Sequence, residues 1–227
     1  ALPISENPLA DMRINVEGMI HLLEALRKVR TKPVVLFSGT VTQVGMPGDL
    51  PVDESFPDSP VTLYDLSKLT AERYLKYYCS EEWIRGACLR LSNVYGPTSV
   101  PSKEDRGILN KIVRMSLAGE PLSVFDRGKF VRDYIFIDDV VAAFLYAGVN
   151  TEKINGCHFV VSSGKGVTIR EAFQTAVDQV ALRTGKKVTV TDRDRPPGFS
   201  LIETRNFIGN PSAFIEATGW RPMFSLE

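Results

Sequence analysis

The 227-residue sequence predicts an α/β fold built on a doubly wound parallel sheet. Two observations carry that expectation. Short continuous apolar runs end in small polar residues, as strands buried on both faces do, and amphipathic helical stretches alternate with them. The opening helix is expected at about 8–30. Asn7 is an N-cap residue type with Pro8 at the first helical position, and Leu9, Met12, Val16, Met19, Ile20, Leu23 and Leu26 recur at helical spacing. Pro33 then leads into an apolar run at 34–37, read as a strand buried on both faces that opens at Ser38, Gly39 and Thr40. A second helix carries Leu66, Leu69, Tyr74, Leu75 and Tyr78, and a second buried strand at 87–91 ends at Ser92 and Asn93.

Beyond Gly96 the alternation weakens and turn residues multiply. A helix is expected at 108–117, short strands at 122–125 and 134–137, and a helix capped by Asp138 that runs to Val149. Another apolar strand spans 157–161. Thr168 and Glu171 make a capping box before a helix that ends near Gly185. A strand at 188–190 and a helix at 211–218, closed by Gly219, complete the chain. The pattern divides the protein into a sheet-bearing part, 1–96, and a mixed, substrate-covering part, 97–227, some of whose elements return to the main sheet.

Charge and composition remove several function classes. With 27 basic and 27 acidic side chains the formal net charge is zero, which argues against nucleic-acid binding, because phosphate-backbone recognition draws on an excess of Lys and Arg. No apolar run is long enough to span a bilayer and no signal-peptide pattern opens the chain, so a soluble, cytoplasmic protein with no membrane partner is expected. Cys79, Cys88 and Cys157 are odd in number and widely spaced, against a disulfide framework or a zinc site, and no metal is expected. His21 and His158 each lie in an apolar stretch and are expected to be structural or solvent-facing.

Phosphate-loop motifs are missing. Gly164 and Gly166 in SSGKGVTI lack a third glycine and read as a turn before the capped helix, and no P-loop pattern occurs. If the sheet binds a dinucleotide, its glycine-rich loop and the first strands are expected upstream of Ala1.

Tyr64 and Lys68 stand four apart at the head of the second helix, so both project from one face. A phenol titrates near 10, and a nearby ammonium favours the phenolate, which makes such a pair a candidate base. The spacing alone is common for a surface tyrosine and a solvated lysine. Ser38 and Thr40 add hydroxyls where the first strand opens, at the carboxyl end of the sheet where doubly wound folds place ligands. On its own, Thr40 reads equally as a loop hydroxyl bonded to local backbone.

Six segments in order then resemble the extended short-chain dehydrogenases/reductases that act on nucleotide sugars. SENPLADMRINVEG is similar to the family's first helix, FSGTVTQVG to its Ser-rich strand end, YDLSK to its catalytic Tyr–x–x–Ser–Lys, and LRLSNVYGP to its Arg–x–x–Asn–Val–Tyr–Gly–Pro. LAGEPLSVFDRGKFVRDYIFIDDVV resembles its substrate-part signature, and GWRPMFSLE its C-terminal Gly–Trp–x–Pro. The resemblance implies a Rossmann-type sheet, of which 1–96 is the C-terminal portion of the dinucleotide-binding domain, and NAD (or NADP) as cofactor. It implies Tyr64 as acid/base, Lys68 as the residue that lowers its pKa and holds the nicotinamide ribose, with Ser38 beside the cofactor, and Thr40 bonded to the sugar hydroxyl. Asn93, Arg132 and Arg195 fall where the family contacts the substrate pyrophosphate, and Phe125 beside the nucleobase. Without the motif, Arg132 reads as an ion-pair partner of Asp133 or Asp138. Asn15 is implied as structural or cofactor-proximal, and a homodimer through the helices near 8–30 and 65–80.

The family's 4,6-dehydratases carry Asp–Glu directly after the catalytic threonine, where this sequence has Val41 and Thr42, and the loop also lacks the glutamate of the uronic-acid decarboxylases. The expected reaction is therefore NAD-dependent 4-epimerisation of a nucleotide sugar through transient C4 oxidation. An NADPH-dependent 4-ketoreductase is the alternative, and a 4,6-dehydratase or a non-catalytic nucleotide-binding module ranks below it. Gly39 replaces a second serine, and Val44 replaces a tyrosine implied to lie close to the sugar.

Overall fold

The computed structural model describes residues 7–29, 31–97 and 107–226. The chain opens with α1 (Pro8–Met12), α2 (Gly18–Arg27), β1 (Val34–Thr40), α3 (Leu63–Ser80), β2 (Arg85–Leu91) and β3 (Asn93–Tyr95). It continues with α4 (Ile108–Ala118), β4 (Leu122–Phe125), β5 (Val131–Phe136), α5 (Ile137–Val149), α6 (Thr151–Ile154) and β6 (His158–Val161). β7 (Gly166–Thr168), α7 (Ile169–Thr184), β8 (Val190–Arg193) and α8 (Ser212–Thr218) close it.

The expected opening helix forms as one rod, with Asn7 Oδ1 accepting from the Ala10 N–H at 3.0 Å and a π-helical turn, Arg13–Glu17, joining α1 to α2. The main sheet is parallel, in the order β1-β2-β6. Its side chains alternate between two cores, as the period of two in a strand requires. Cys88 and Val35 pack with Leu23, Ala71, Leu75 and Ile84 under α2 and α3, whereas Ala87 and Leu89 face Ala143, Phe159, Phe214 and Trp220 under α5 and α8. Helices on both faces make the sheet doubly wound. Among the described residues no helix is long and apolar enough to cross a membrane.

β1 departs from the expected burial. Val34 is exposed and Leu36 and Phe37 are half-buried, and among the described residues β1 pairs only with β2. Asp138 is not the cap of α5. That position belongs to Phe136, and the neighbouring Asp139 instead ties down the C-terminal segment, its carboxylate accepting from the N–H groups of Met223 and Phe224 at 2.8 and 3.1 Å. The last strand falls at 190–193 rather than 188–190, since its bounds follow from the parallel register of Val190 opposite Leu122 in β4. β5 begins at Val131, where it pairs antiparallel with β7, and it pairs parallel with β3. The Thr168–Glu171 capping box is present at the head of α7.

A buried ionic cluster fastens the loop after β1 to the sheet. Arg90 on β2 donates to both oxygens of Glu72 on α3, at 2.9 and 2.8 Å, and Glu72 also accepts from Gln43 and pairs with Lys76. Arg90 further pairs with Asp58 at 2.8 Å, and His158 Nδ1 lies 2.7 Å from Lys76 Nζ. With Gln43 and Asp58 anchored, the path of the loop between β1 and α3 is determined.

Candidate active site

Thr40, the last residue of β1, is extended, and a 3-10 turn, Val41–Val44, follows it. The turn is held by Thr40 N–H donating to Gln43 Oε1 at 3.3 Å and by Thr40 Oγ1 accepting from Thr42 N–H at 3.3 Å. Gly39 stands where a side chain has no room, for a Cβ there would lie 2.4 Å from Cys88 Sγ. The turn ends at Gly45, whose φ of 72° is a left-handed conformation that glycine adopts without strain.

α3 starts at Leu63 because Thr62 caps it, its Oγ1 accepting from Asp65 N–H at 3.1 Å. Tyr64 thus occupies the first turn, with Lys68 one turn on. The Lys68 ammonium donates to the Ser38 carbonyl at 3.0 Å and lies 5.8 Å from the Tyr64 ring centroid. Burial first, then the charges of Asp65 and Asp11, push the phenol above its ordinary value, and burial holds the Lys68 ammonium below its own.

A cleft of about 400 Å³ opens beside Tyr64, and Asn93 and Arg132 also line it. Arg132 makes neither of the ion pairs considered for it. Its guanidinium donates to the carbonyls of Val131, Arg205 and Glu203, and Asp133 is taken up by Ser163, Gly164, Gly209 and Ser92. Thr40 is buried and reaches the cleft wall through Thr42, whose hydroxyl lies 2.9 Å from that of Thr40 and donates to Asp65 Oδ1. Phe125 lies in a neighbouring cavity of about 570 Å³ that shares Ile108, Ile169, Phe173 and Glu203 with the cleft, its ring 5.3 Å from that of Phe199. Arg195 lies outside the cleft lining, paired with Asp126 at 2.5 Å and placed over Phe199. Ser38 meets Lys68 through its backbone, and Asn15 donates to Asp11 on its own helix.

Val44 is buried against Val41, Val52, Val160 and Phe207, away from the cleft, so the replaced tyrosine leaves no opening in the cleft wall. Among the lining residues that the sequence reading did not single out are Asp65 and Arg205. Asp65 sits inside the YDLSK motif and could have been found there. Arg205, which donates to the carbonyls of Thr42 and Gly45 at 3.2 Å each and is held below its ordinary pKa by burial, belongs to no motif.

The model of the NAD dependent epimerase/dehydratase family matches residues 4–162. The chain belongs to that family. As a member of the NAD-dependent epimerase/dehydratase family it is an enzyme of the extended short-chain dehydrogenase/reductase type. It is 30% identical over 221 residues to the UDP-glucose 4-epimerase of Mycolicibacterium smegmatis, covering 97% of this chain and 67% of that one. The UDP-glucose 4-epimerase from Thermotoga maritima, solved with UDP-glucose, superposes with a TM-score of 0.85 at 29% identity, over 98% of this chain and 69% of that one. The Thermus thermophilus UDP-glucose 4-epimerase, solved in complex with NAD, gives 0.79 at 27% identity, over 98% and 69%. The chain spans about two thirds of the length of each of these epimerase/dehydratase relatives.

Proposed function

We propose that the protein interconverts nucleotide-sugar epimers at C4 with NAD, NADP being the second candidate cofactor. The observation that carries this reading is the cleft itself, whose lining includes Tyr64, Asn93, Arg132 and Arg205. Tyr64 supplies a titrating hydroxyl, and the two guanidinia suit a diphosphate, which planar forked donors recognise two-pronged. The relatives' names support the same substrate class.

In this reading Tyr64 takes the C4 hydroxyl proton and later returns it, while Thr40 bonds the same hydroxyl. Burial and the acidic side chains near it push the phenol above its ordinary value, and the Lys68 ammonium, 5.8 Å from the ring centroid, is the positive charge that favours the phenolate there. The cofactor residues present, Tyr64 and Lys68 over the end of β1, fit the nicotinamide-ribose end of a dinucleotide, and the sequence holds no glycine-rich loop for its pyrophosphate. When bound, NAD supplies the hydride acceptor at C4. Residues 1–96 then serve as the C-terminal portion of the dinucleotide-binding domain and 97–227 as the substrate part, with Phe125 near the nucleobase and Arg195 at the cavity rim. A cytoplasmic homodimer is part of the same reading, since Leu9, Ile14, Leu22, Leu66 and Tyr77 on α1, the π-helical turn, α2 and α3 are exposed apolar side chains.

The test is a panel of UDP-, dTDP-, GDP- and CDP-hexoses, with sugar stereochemistry followed by NMR and the cofactor by absorbance. C4 epimers formed with no net cofactor consumption are expected. Stoichiometric NADPH oxidation on a 4-keto sugar would replace this reading with the ketoreductase, and a 4-keto-6-deoxy product with the dehydratase. Lys68→Ala is expected to lower both kcat and cofactor affinity, each by ~10-fold or more, as removal of a charge-assisted hydrogen bond at a binding site does. Titration calorimetry with NAD and steady-state kinetics check the two losses separately.

A further inference from the structure

The cleft beside Tyr64 and the cavity that holds Phe125 meet at Ile108, Ile169, Phe173 and Glu203. Three of these are apolar and the fourth carries a carboxylate. Glu203 belongs to a 3-10 turn, Leu201–Thr204, whose place is set from β5, because Arg132 donates to the Glu203 carbonyl at 2.8 Å and to that of Arg205. Burial lowers the pKa of both Arg132 and Arg205, and the Glu203 carboxylate is among the charges that oppose it in each, so it lies within electrostatic reach of the two guanidinia. A carboxylate there repels a diphosphate drawn to the same guanidinia. It favours a ligand only where the portion next to the diphosphate offers donors, since a carboxylate accepts and never donates. In a nucleoside diphosphate that portion is the ribose, whose vicinal 2′ and 3′ hydroxyls are two donors for two oxygens.

We propose that Glu203 accepts from the 2′ and 3′ hydroxyls of the ribose and so selects ribonucleoside over 2′-deoxyribonucleoside diphosphate sugars. The inference rests on the nucleotide-sugar reading, with the sugar at Tyr64, the diphosphate at Arg132 and Arg205 and the base near Phe125, and deepens it by naming the class of nucleoside. A 2′-deoxyribose leaves one carboxylate oxygen against the ligand without its donor, and a site built to bond a hydroxyl rejects the analogue that lacks it. Lys111 and Arg193, the other charged residues that line the Phe125 cavity, are donors and do not replace Glu203. Asp65, the other carboxylate lining the joined cavities, already accepts from Thr42. Of the nucleotides in the panel, UDP, GDP and CDP fit this arrangement and dTDP does not.

The test is calorimetry on the full chain with UDP against 2′-deoxy-UDP, GDP against 2′-deoxy-GDP and CDP against 2′-deoxy-CDP, pairs that differ by one hydroxyl. For the base that binds most tightly, the ribonucleotide is expected to bind ~10-fold more tightly than its deoxy partner, the size of one hydrogen bond to a charged group. In Glu203→Ala the two should bind within about twofold of each other. A purely structural role for Glu203 would weaken both ligands together and leave their ratio at ~10, which overturns the proposal. Glu203→Gln keeps a carbonyl acceptor without the charge, is expected to discriminate by about threefold, and carries the test should Glu203→Ala fail to fold. Equal binding within every pair in the parent, or dTDP bound more tightly than each ribonucleotide, would also overturn the proposal while leaving the nucleotide-sugar reading in place. A preference that depends on Glu203 in a protein that epimerises none of the panel would support the proposal and overturn the proposed reaction instead. A parent that binds no nucleoside diphosphate would overturn both.

Discussion

Tyr64→Phe is expected to reduce kcat by about 10²–10⁴-fold, the range that a positioned acid/base contributes. Phenylalanine keeps the ring in the first turn of α3 and removes only the titrating oxygen. The half-buried ring has no structural hydrogen bond among those the described residues define, and helix initiation depends on Thr62, not Tyr64. Nucleotide-sugar affinity, assigned here to Asn93, Arg132 and Arg205, should hold within about twofold by calorimetry, so the loss should fall on kcat and not on KM. Substantial kcat in the phenylalanine variant would remove Tyr64 from the acid/base role. The folded state of the variant can be verified by an unchanged melting temperature.

Arg90→Leu is expected to cost about 3–5 kcal/mol of stability, because it leaves the carboxylate of Glu72 buried without its main partner. Lys76 and Gln43 remain on Glu72 but come from the helix and the loop edge, and they do not replace a two-pronged guanidinium. Urea unfolding at pH 7 measures the loss. The pH dependence supplies a second check with a definite sign. Burial alone would raise the Glu72 carboxyl, but Arg90 and then Lys76 outweigh it and hold the group well below its ordinary 4.5. A carboxylate with a depressed folded pKa adds stability that is present above its unfolded value and is lost as the pH falls below about 4.5. His158 lies beside the same cluster, and burial, then Arg90 and Lys76, bring it down from 6.5 to about 4. Its neutral form is favoured by folding, so its contribution is present above pH 6.5 and declines between about 6.5 and 4. The parent protein should therefore weaken in two overlapping steps on acidification. In Arg90→Leu both steps should shrink, since the guanidinium that shifts both groups is gone. A loss of unfolding free energy of less than about 1 kcal/mol would show that the cluster relaxes around the lost charge.

How far the sequence could be read depended on how local each signal was. The opening helix was legible because Asn7, Pro8 and a run of apolar residues at helical spacing all lie within one segment, and α7 because Thr168 and Glu171 cap it from three residues apart. The end of β1 at Thr40, the end of β2 at Leu91 and the placement of Tyr64 and Lys68 on one helical turn were legible for the same reason. β3 and β7 were not expected, since three residues make no period and exist as strands only because β5 lies between them. Asp138 was given the cap of α5 because a sequence shows which residue types stand near a helix start but not which backbone groups come within reach of them.

The site divides along the same line. By itself the sequence determined the residue types at the end of β1 and at the head of α3, and with them the family, because both motifs are contiguous and their chemistry survives in any register. Only the tertiary structure decided which of those groups meet. It placed the Lys68 ammonium on the Ser38 carbonyl, turned Val44 inward, kept Arg195 on Asp126, and brought Arg205 to the carbonyls of Thr42 and Gly45 from the far end of the chain. The physical reason is that a hydrogen bond or ion pair acts over about 3 Å, and such closeness between distant segments is set by strand register and by the buried Glu72–Arg90 anchor of the loop, neither of which leaves a pattern in the sequence.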